Sequence, residues 1–312
     1  LIEALLAGRR ALGNDINPLS VILAGPRLDI PEIQEVEDRL KRVRIVSTAK
    51  ADIDVSMFYH RKTEEEIISL KRYLDRRRRD GVEDKVDRWI RMVATNRLTG
   101  HSPGFFSVYT LPPNQAAGPD DQRRINKKRK QRPVYRDVRA LILRKSDRLL
   151  KRLSKEETAL LSGSQERVML MTEDARSTPL IEDNSVQLTV TSPPFLDVVD
   201  YAGDNWLRCW FNGIDEDSVS RSVTRAGTLD EWKQVMLDVF LELFRITKTG
   251  GYVAYEVGEI RKGTIRLDEV VLPLGAAAGF QARAVYINRQ KFTKTSNIWG
   301  IQNNHAGTNT NR

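Results

Sequence analysis

Apolar positions along the chain recur with two different periods, and the change falls near Arg167. Before it the spacing is three to four residues. Ile33–Val43 and Thr63–Tyr73 read as amphipathic helices, and Asp84–Thr95 is a third, with Trp89, Ile90 and Val93 on its apolar side. Leu1–Gly8 reads as an opening helix and Arg10–Gly13 as a short strand. The run Arg76–Gly81 ends the second amphipathic helix. His101–Gly104 and Leu111–Asn114 are turn-rich loops, and Asp121–Leu153 is helical with a break at Pro133. Beyond Arg167, strands alternate with helices. Val168–Met171, Val186–Val190, Tyr252–Val257 and Gln281–Ile287 read as strands; Leu229–Ile246 and Val270–Gly279 read as helices. Alternation of this kind predicts a parallel sheet covered on both faces.

Composition narrows the class. With 312 residues, 40% hydrophobic and 30% charged, the chain has room for one large domain or two small ones and excludes fibrous or wholly disordered proteins. The longest apolar stretch, Val270–Phe280, is too short to cross a bilayer, so no membrane partner is expected. No signal peptide is visible, and a cytoplasmic location is expected. Cys209 is the single cysteine, which excludes a disulfide framework and favours a reducing compartment. His60 and His101 have no partner at ligand spacing, so no metal site is expected. The chain opens with Leu1 inside a helix and closes on a polar run, as expected of a piece of a longer protein.

Charge changes the picture more. The net +9 is unevenly spread: Asp121–Lys155 holds 15 Lys/Arg against 3 Asp/Glu, or +12, leaving 36 basic against 39 acidic residues, or −3, elsewhere. A mildly acidic body thus carries one strongly basic segment, the electrostatic footprint of a polyanion-binding region. Arg123, Arg124, Lys127, Lys128, Arg129, Lys130 and Arg132 are its candidate phosphate contacts, and Asn96, Arg97, Thr99 and His101–Ser107 form a polar loop beside it in sequence.

The candidate chemistry lies in Thr191-Ser192-Pro193-Pro194-Phe195, at the carboxyl end of a predicted buried strand. Ligand chemistry in open α/β sheets sits at such ends. Two prolines hold the backbone extended and without donors, so the Ser192 hydroxyl and the Pro193 carbonyl serve as acceptors. Phe195 adds a flat face. Together they suit a planar group bearing an exocyclic amine.

This loop, with its approach Leu180–Val186, resembles the catalytic loop of S-adenosylmethionine-dependent amino-methyltransferases acting on DNA bases. Gly13-Asn14-Asp15-Ile16-Asn17-Pro18 resembles that family's second-strand acidic motif, and Glu173-Asp174-Ala175 its third-strand motif. Lys248–Tyr252 resembles the turn before the fifth strand. Asp197 to Tyr201, Trp206–Gly213, Lys291–Thr295 and Gly307–Arg312 resemble later parts of one site-specific group. The resemblance implies an α/β fold, a class I methyltransferase Rossmann-like sheet, formed by residues 1–22 and 166–312, with a large basic helical insertion at 23–165 for target recognition. It implies S-adenosylmethionine as cofactor, with Asp15, Asn17, Asp174 and Thr191 binding it. Ser192, Pro193, Pro194 and Phe195 would orient the target base, and Asp200 and Tyr201 would line its pocket. The family's glycine-rich loop, which would precede Leu1, is not in this sequence, and the last strand is incomplete.

The implied reaction is methyl transfer to a flipped base of double-stranded DNA, cytosine-N4 being favoured by Ser192 and adenine-N6 the alternative. A cognate restriction endonuclease is a possible partner. Methylation of a cytosine ring carbon is disfavoured, because Cys209 follows Arg208 and not proline. Two further classes stay open: methylation of RNA or a protein amide, and a non-catalytic DNA-binding relative.

Overall fold

Side-chain caps decide where the long helices begin. In the computed structural model, which describes residues 1–111, 116–162, 164–193, 201–222, 226–260, 265–290 and 309–311, Asp84 accepts the backbone N–H groups of Val86 at 3.0 Å and Asp87 at 3.1 Å. Asp87 in return accepts the Asp84 N–H at 3.2 Å, closing a reciprocal cap that starts a helix at Lys85. Thr228 and Glu231 do the same at the head of Leu229–Ile246. The chain divides into two units, Leu1–Thr172 with Asp200–Val223, and Glu173–Val199 with Thr224–Arg312. Among the described residues no helix is long and apolar enough to cross a membrane.

In the first unit the order is α1 (Ile2–Leu6), β1 (Ala11–Asn14), α2 (Leu19–Ala24), α3 (Ile33–Arg42), α4 (Arg61–Arg79), α5 (Lys85–Thr95), α6 (Pro119–Arg129), α7 (Val138–Leu150), α8 (Lys155–Ser162) and β2 (Val168–Met171), with α9 (Tyr201–Asn212) and α10 (Glu216–Ser222) joining later in the chain. One core is shared by the apolar stripes of α3, α4, α5, α7 and α9, around Val36, Leu40, Leu74, Ile90, Ile142 and Phe211. Helix α4 runs to Arg79 because nothing breaks it before Gly81, whose φ of +69° turns the chain. The predicted break after α6 falls earlier than Pro133. Lys130 already adopts a left-handed conformation, and no helix resumes until Val138.

Charged side chains join three of these helices. Arg39 of α3 donates to Asp84 at 2.7 Å and to Asp87, and Arg77 of α4 donates to Asp87 at 2.5 Å. The Asp87 carboxylate is fully buried, so both guanidinium groups are needed to replace its lost hydration. Strands β1 and β2 pair in parallel, Ala11 opposite Val168 through Asn14 opposite Met171. Parallel pairing needs a crossover, and here the crossover is the whole helical stretch.

In the second unit β3 (Val186–Thr191) pairs in parallel with β4 (Thr247–Tyr255), connected through α11 (Leu229–Ile246), whose Trp232, Met236, Phe240 and Leu243 are buried. Then follow β5 (Glu259–Ile260) and β6 (Ile265–Arg266), which pair antiparallel, α12 (Leu267–Ala277), and β7 (Asn288–Gln290) paired antiparallel with β8 (Asn309–Asn311). Gly250 and Gly251 lie inside β4, not before it. The register shifts there, Gly250 takes φ +78°, and a Cβ at Gly251 would sit 2.9 Å from the Lys248 carbonyl oxygen. The predicted strand at Gln281–Ile287 is a correction: these residues are exposed and carry no strand. Alternating apolar residues encode a face, but a strand also needs a hydrogen-bonding neighbour.

Among the described residues the sheets are four separate two-stranded pairs, two parallel and two antiparallel, within a mixed α/β chain. On β3 and β4, Leu188, Val190 and Tyr252 are more than half exposed, at 57%, 74% and 60%. Parallel strands are ordinarily covered on both faces, so this face carries apolar side chains that the described residues leave uncovered.

Candidate functional site

The residues singled out by sequence sit where strands end. Asp15 directly follows β1, and its N–H donates to the Met171 carbonyl at 3.3 Å, extending the parallel ladder by one bond. Its side chain is exposed. It accepts the Asn17 N–H at 2.9 Å and the Ser20 hydroxyl. Asn17 in turn accepts the Leu19 N–H at 3.0 Å, which starts α2. The pair Asp15 and Asn17 is therefore one turn held by its own side chains. An exposed carboxylate with two such bonds still has lone pairs to offer.

Asp174 follows β2 by three positions and belongs to the second unit, as do Thr191, Ser192 and Pro193, whereas Asp15 and Asn17 belong to the first. The Asp174 carboxylate accepts the Arg176 N–H at 2.9 Å and binds its guanidinium at 2.5–3.1 Å. This bond to Arg176 holds Asp174 below the usual carboxylate range. Its acceptors are thus engaged locally.

Thr191 closes β3 opposite Tyr255, and its carbonyl accepts the Glu256 N–H at 2.9 Å. The Tyr255 ring stacks on Phe240 at 4.6 Å, its hydroxyl meets the Met236 sulfur at 2.9 Å, and burial raises its pKa well above the usual phenol value. A packed platform therefore carries the loop. Ser192 is exposed and Pro193 is buried, so the hydroxyl faces solvent from a fixed base. Pro194, Phe195 and Asp200 lie outside the described residues, as does the side chain of Tyr201, whose backbone opens α9. On α9, Cys209 is fully buried, and burial pushes its thiol up to about 11. A thiol held protonated is a poor nucleophile.

The basic candidates fall into two kinds. Arg123 is held by Asp120 and Asp54, each at 2.7 Å, and Arg124 pairs with Asp121. Arg129 lies over the Tyr109 ring, 3.7 Å from its centre. Lys127, Lys128, Lys130 and Arg132 are exposed. Helix α6 is itself anchored by fully buried Gln122, which donates to the Tyr109 carbonyl at 3.0 Å. In the neighbouring loop Thr99 and Ser107 are buried and only His101–Pro103 are exposed, so most of the loop is unavailable for base contacts.

A second group of cations was not assembled by sequence reasoning. Arg97, just beyond α5, lies over the Phe105 ring at 4.1 Å and keeps a buried Nε that has no hydrogen-bond partner. Burial and the like charges of Arg148 and Arg208 lower it to about 10. Lys145 of α7 is half-buried and lowered to about 8 by desolvation and by Arg97, Arg148, Arg27 and Arg152. The signal available in sequence was the spacing of Lys145, Arg148 and Arg152, which places them along one side of a helix.

A cavity of about 450 Å³ opens between α2, the Gly25–Asp29 turn, the α4–α5 connection and β2. Its cations are paired: Arg78 and Arg91 with Glu83 at 3.2 and 3.3 Å, and Arg88 with Asp29 at 3.1 Å. None of the residues predicted to act lines it. No protein-family model matches this chain, and neither a curated protein nor a solved structure is significantly similar to it.

Proposed function

We propose that this chain carries out S-adenosylmethionine-dependent methyl transfer to the exocyclic amine of a flipped DNA base, cytosine-N4 in preference to adenine-N6. The observation that carries this reading is positional. Asp15 directly follows β1, and Ser192–Pro193 directly follow β3, each strand being a member of a parallel pair. Carboxyl ends of parallel strands are where α/β folds place ligand chemistry.

Asp15, exposed and only partly satisfied, suits a ribose diol, and Asp174 suits an adenine amino group in exchange for its bond to Arg176. The bound cofactor supplies an electrophilic methyl group. The chain's own work is positioning. Ser192 and the Pro193 carbonyl would accept hydrogen bonds from the two amine N–H groups, which orients the nitrogen lone pair for in-line attack; as the N–C bond forms, the S–C bond breaks, the thioether leaves and one amine proton passes to solvent. No covalent intermediate is required, in keeping with the buried, protonated Cys209.

The test is transfer of labelled methyl from S-adenosylmethionine to plasmid DNA by the full-length protein, with the product nucleoside identified by mass spectrometry. Ser192→Ala is expected to lower kcat by roughly 10²-fold or more with little change in DNA affinity, the size typical of losing one preorganised polar contact. Full activity in Ser192→Ala, or methyl on RNA alone, would reject the reading.

A further inference from the structure

We infer that Arg97, Lys145 and Arg148, flanked by Arg27 and Arg152, form a built binding site for the phosphodiester backbone of nucleic acid, separate from the exposed basic residues of α6. The choice of duplex DNA as the backbone rests on the function proposed above; the site itself does not.

Geometry carries the inference. Lys145, Arg148 and Arg152 recur at three- and four-residue spacing along α7 and the turn after it, so they share one side. Helix α7 is locked to α5 by the buried hydrogen bond from Trp89 Nε1 to Ser146 Oγ, 2.9 Å, the serine being next to Lys145. Arg97 enters from the end of α5, its guanidinium fixed over Phe105. Four of the five side chains act electrostatically on Lys145, and all four are cations.

The cluster contains no acid. Among the described residues, no carboxylate pairs with any of these five groups, of which Arg97 and Lys145 are half-buried and Arg27, Arg148 and Arg152 are exposed. The nearest acid in sequence, Asp147, is paired with Lys151 at 2.8 Å. Two buried cations of the helical core are neutralised. Arg91, 1% exposed, meets Asp75 and Glu83, and Arg39 meets Asp84 and Asp87. Converging like charges on a packed scaffold costs stability and persists where an external anion supplies the missing charge. Guanidinium forks and an ammonium together match successive phosphates of a backbone, the Arg groups bidentate and the Lys as a point charge. From Lys145 to Arg152 the helical rise is about 10 Å, comparable to three nucleotide steps along one strand.

The experiment is fluorescence anisotropy of a labelled duplex with the full-length protein, over a range of salt concentrations, with a structured RNA in parallel. The double variant Lys145→Gln, Arg148→Gln is expected to bind at least tenfold more weakly near 0.1 M salt. Its plot of log affinity against log salt is expected to be shallower by about two contacts' worth. Lys128→Gln, Lys130→Gln on α6 is expected to lose less. Because the cluster variant removes repulsion, its melting temperature is expected to equal or exceed wild type, so weaker binding cannot be ascribed to unfolding.

Equal affinity and slope in the cluster variant would overturn the site while leaving methyl transfer untouched. Wild-type protein that binds neither nucleic acid would overturn it as well. Cluster-dependent binding of RNA alone would keep the site and reject DNA as its ligand.

Discussion

The two ends of α5 gather the same kind of side chain and treat it in opposite ways. At the amino-terminal end, Arg39 and Arg77 close on Asp84 and Asp87, and every charge has a partner. At the carboxyl-terminal end, Arg97 lies within electrostatic reach of Lys145 and Arg148, and none of the three is paired with an acid. Helix polarity favours both choices: acids at the amino end and cations at the carboxyl end are each stabilised by the peptide dipoles. That dipole is worth no more than about 1 kcal/mol at an exposed terminus, so it cannot offset several convergent charges. The contrast separates cations that hold the fold from cations held ready by it.

Removing the pivot of the paired end is the strongest test. Asp87→Ala leaves Arg39 and Arg77 without their buried partner, and the loss is expected to be about 3–5 kcal/mol of unfolding free energy by urea titration. A loss below about 1 kcal/mol would mean that the network is solvated and the contrast false.

The second test uses pH at both ends. Lys145 has a folded value near 8 against an ordinary 10.5, so between these the unfolded chain holds the extra proton and stability rises with pH. Lys145→Met removes that limb. The variant is expected to be more stable than wild type at pH 7 by about 1 kcal/mol after solvent screening, with the gap closing toward pH 10.5. On the acid side, Asp84 is held below the usual range by Arg39 and Arg77, against a burial cost of opposite sign. Its stabilisation is present above pH 4 and is lost as pH falls through the depressed value. Asp84→Asn is expected to flatten that fall.

The smallest effect belongs to α6. Arg124 and Asp121 are an exposed pair three residues apart, and Arg124→Ala is expected to leave the urea midpoint unchanged. A lowered midpoint would place α6 among the structural cations.

Much of the helical organisation was legible because the signals are local. Asp84 with Asp87 and Thr228 with Glu231 announce helix starts within four residues, and Leu229–Ile246 was read to the residue. The strand Val168–Met171 and the end of β3 were likewise readable from short apolar runs. Sequence reading failed where the outcome depends on distant residues. Gln281–Ile287 has a strand's pattern but no strand, and Gly250–Gly251 form a bulge whose need comes from the Gln187 carbonyl on the neighbouring strand. Of the candidate site, the turn positions of Asp15 and Ser192 were legible. The Arg97–Lys145 cluster was not, because its members are brought together only by the packing of α5 on α7.

The buried hydroxyl of Ser164 donates to the Leu28 carbonyl at 3.1 Å, beside the small core of Leu5, Ala11, Leu28 and Leu161. The helical stretch between β1 and β2 therefore leaves and re-enters at nearly one point. Such a stretch is a closed excursion: its ends are fixed to each other, and the strands need not register what lies between. Loop-closure cost grows only slowly with length, so the excursion is free to lengthen, shorten or exchange its surface over generations while β1 and β2 keep their register.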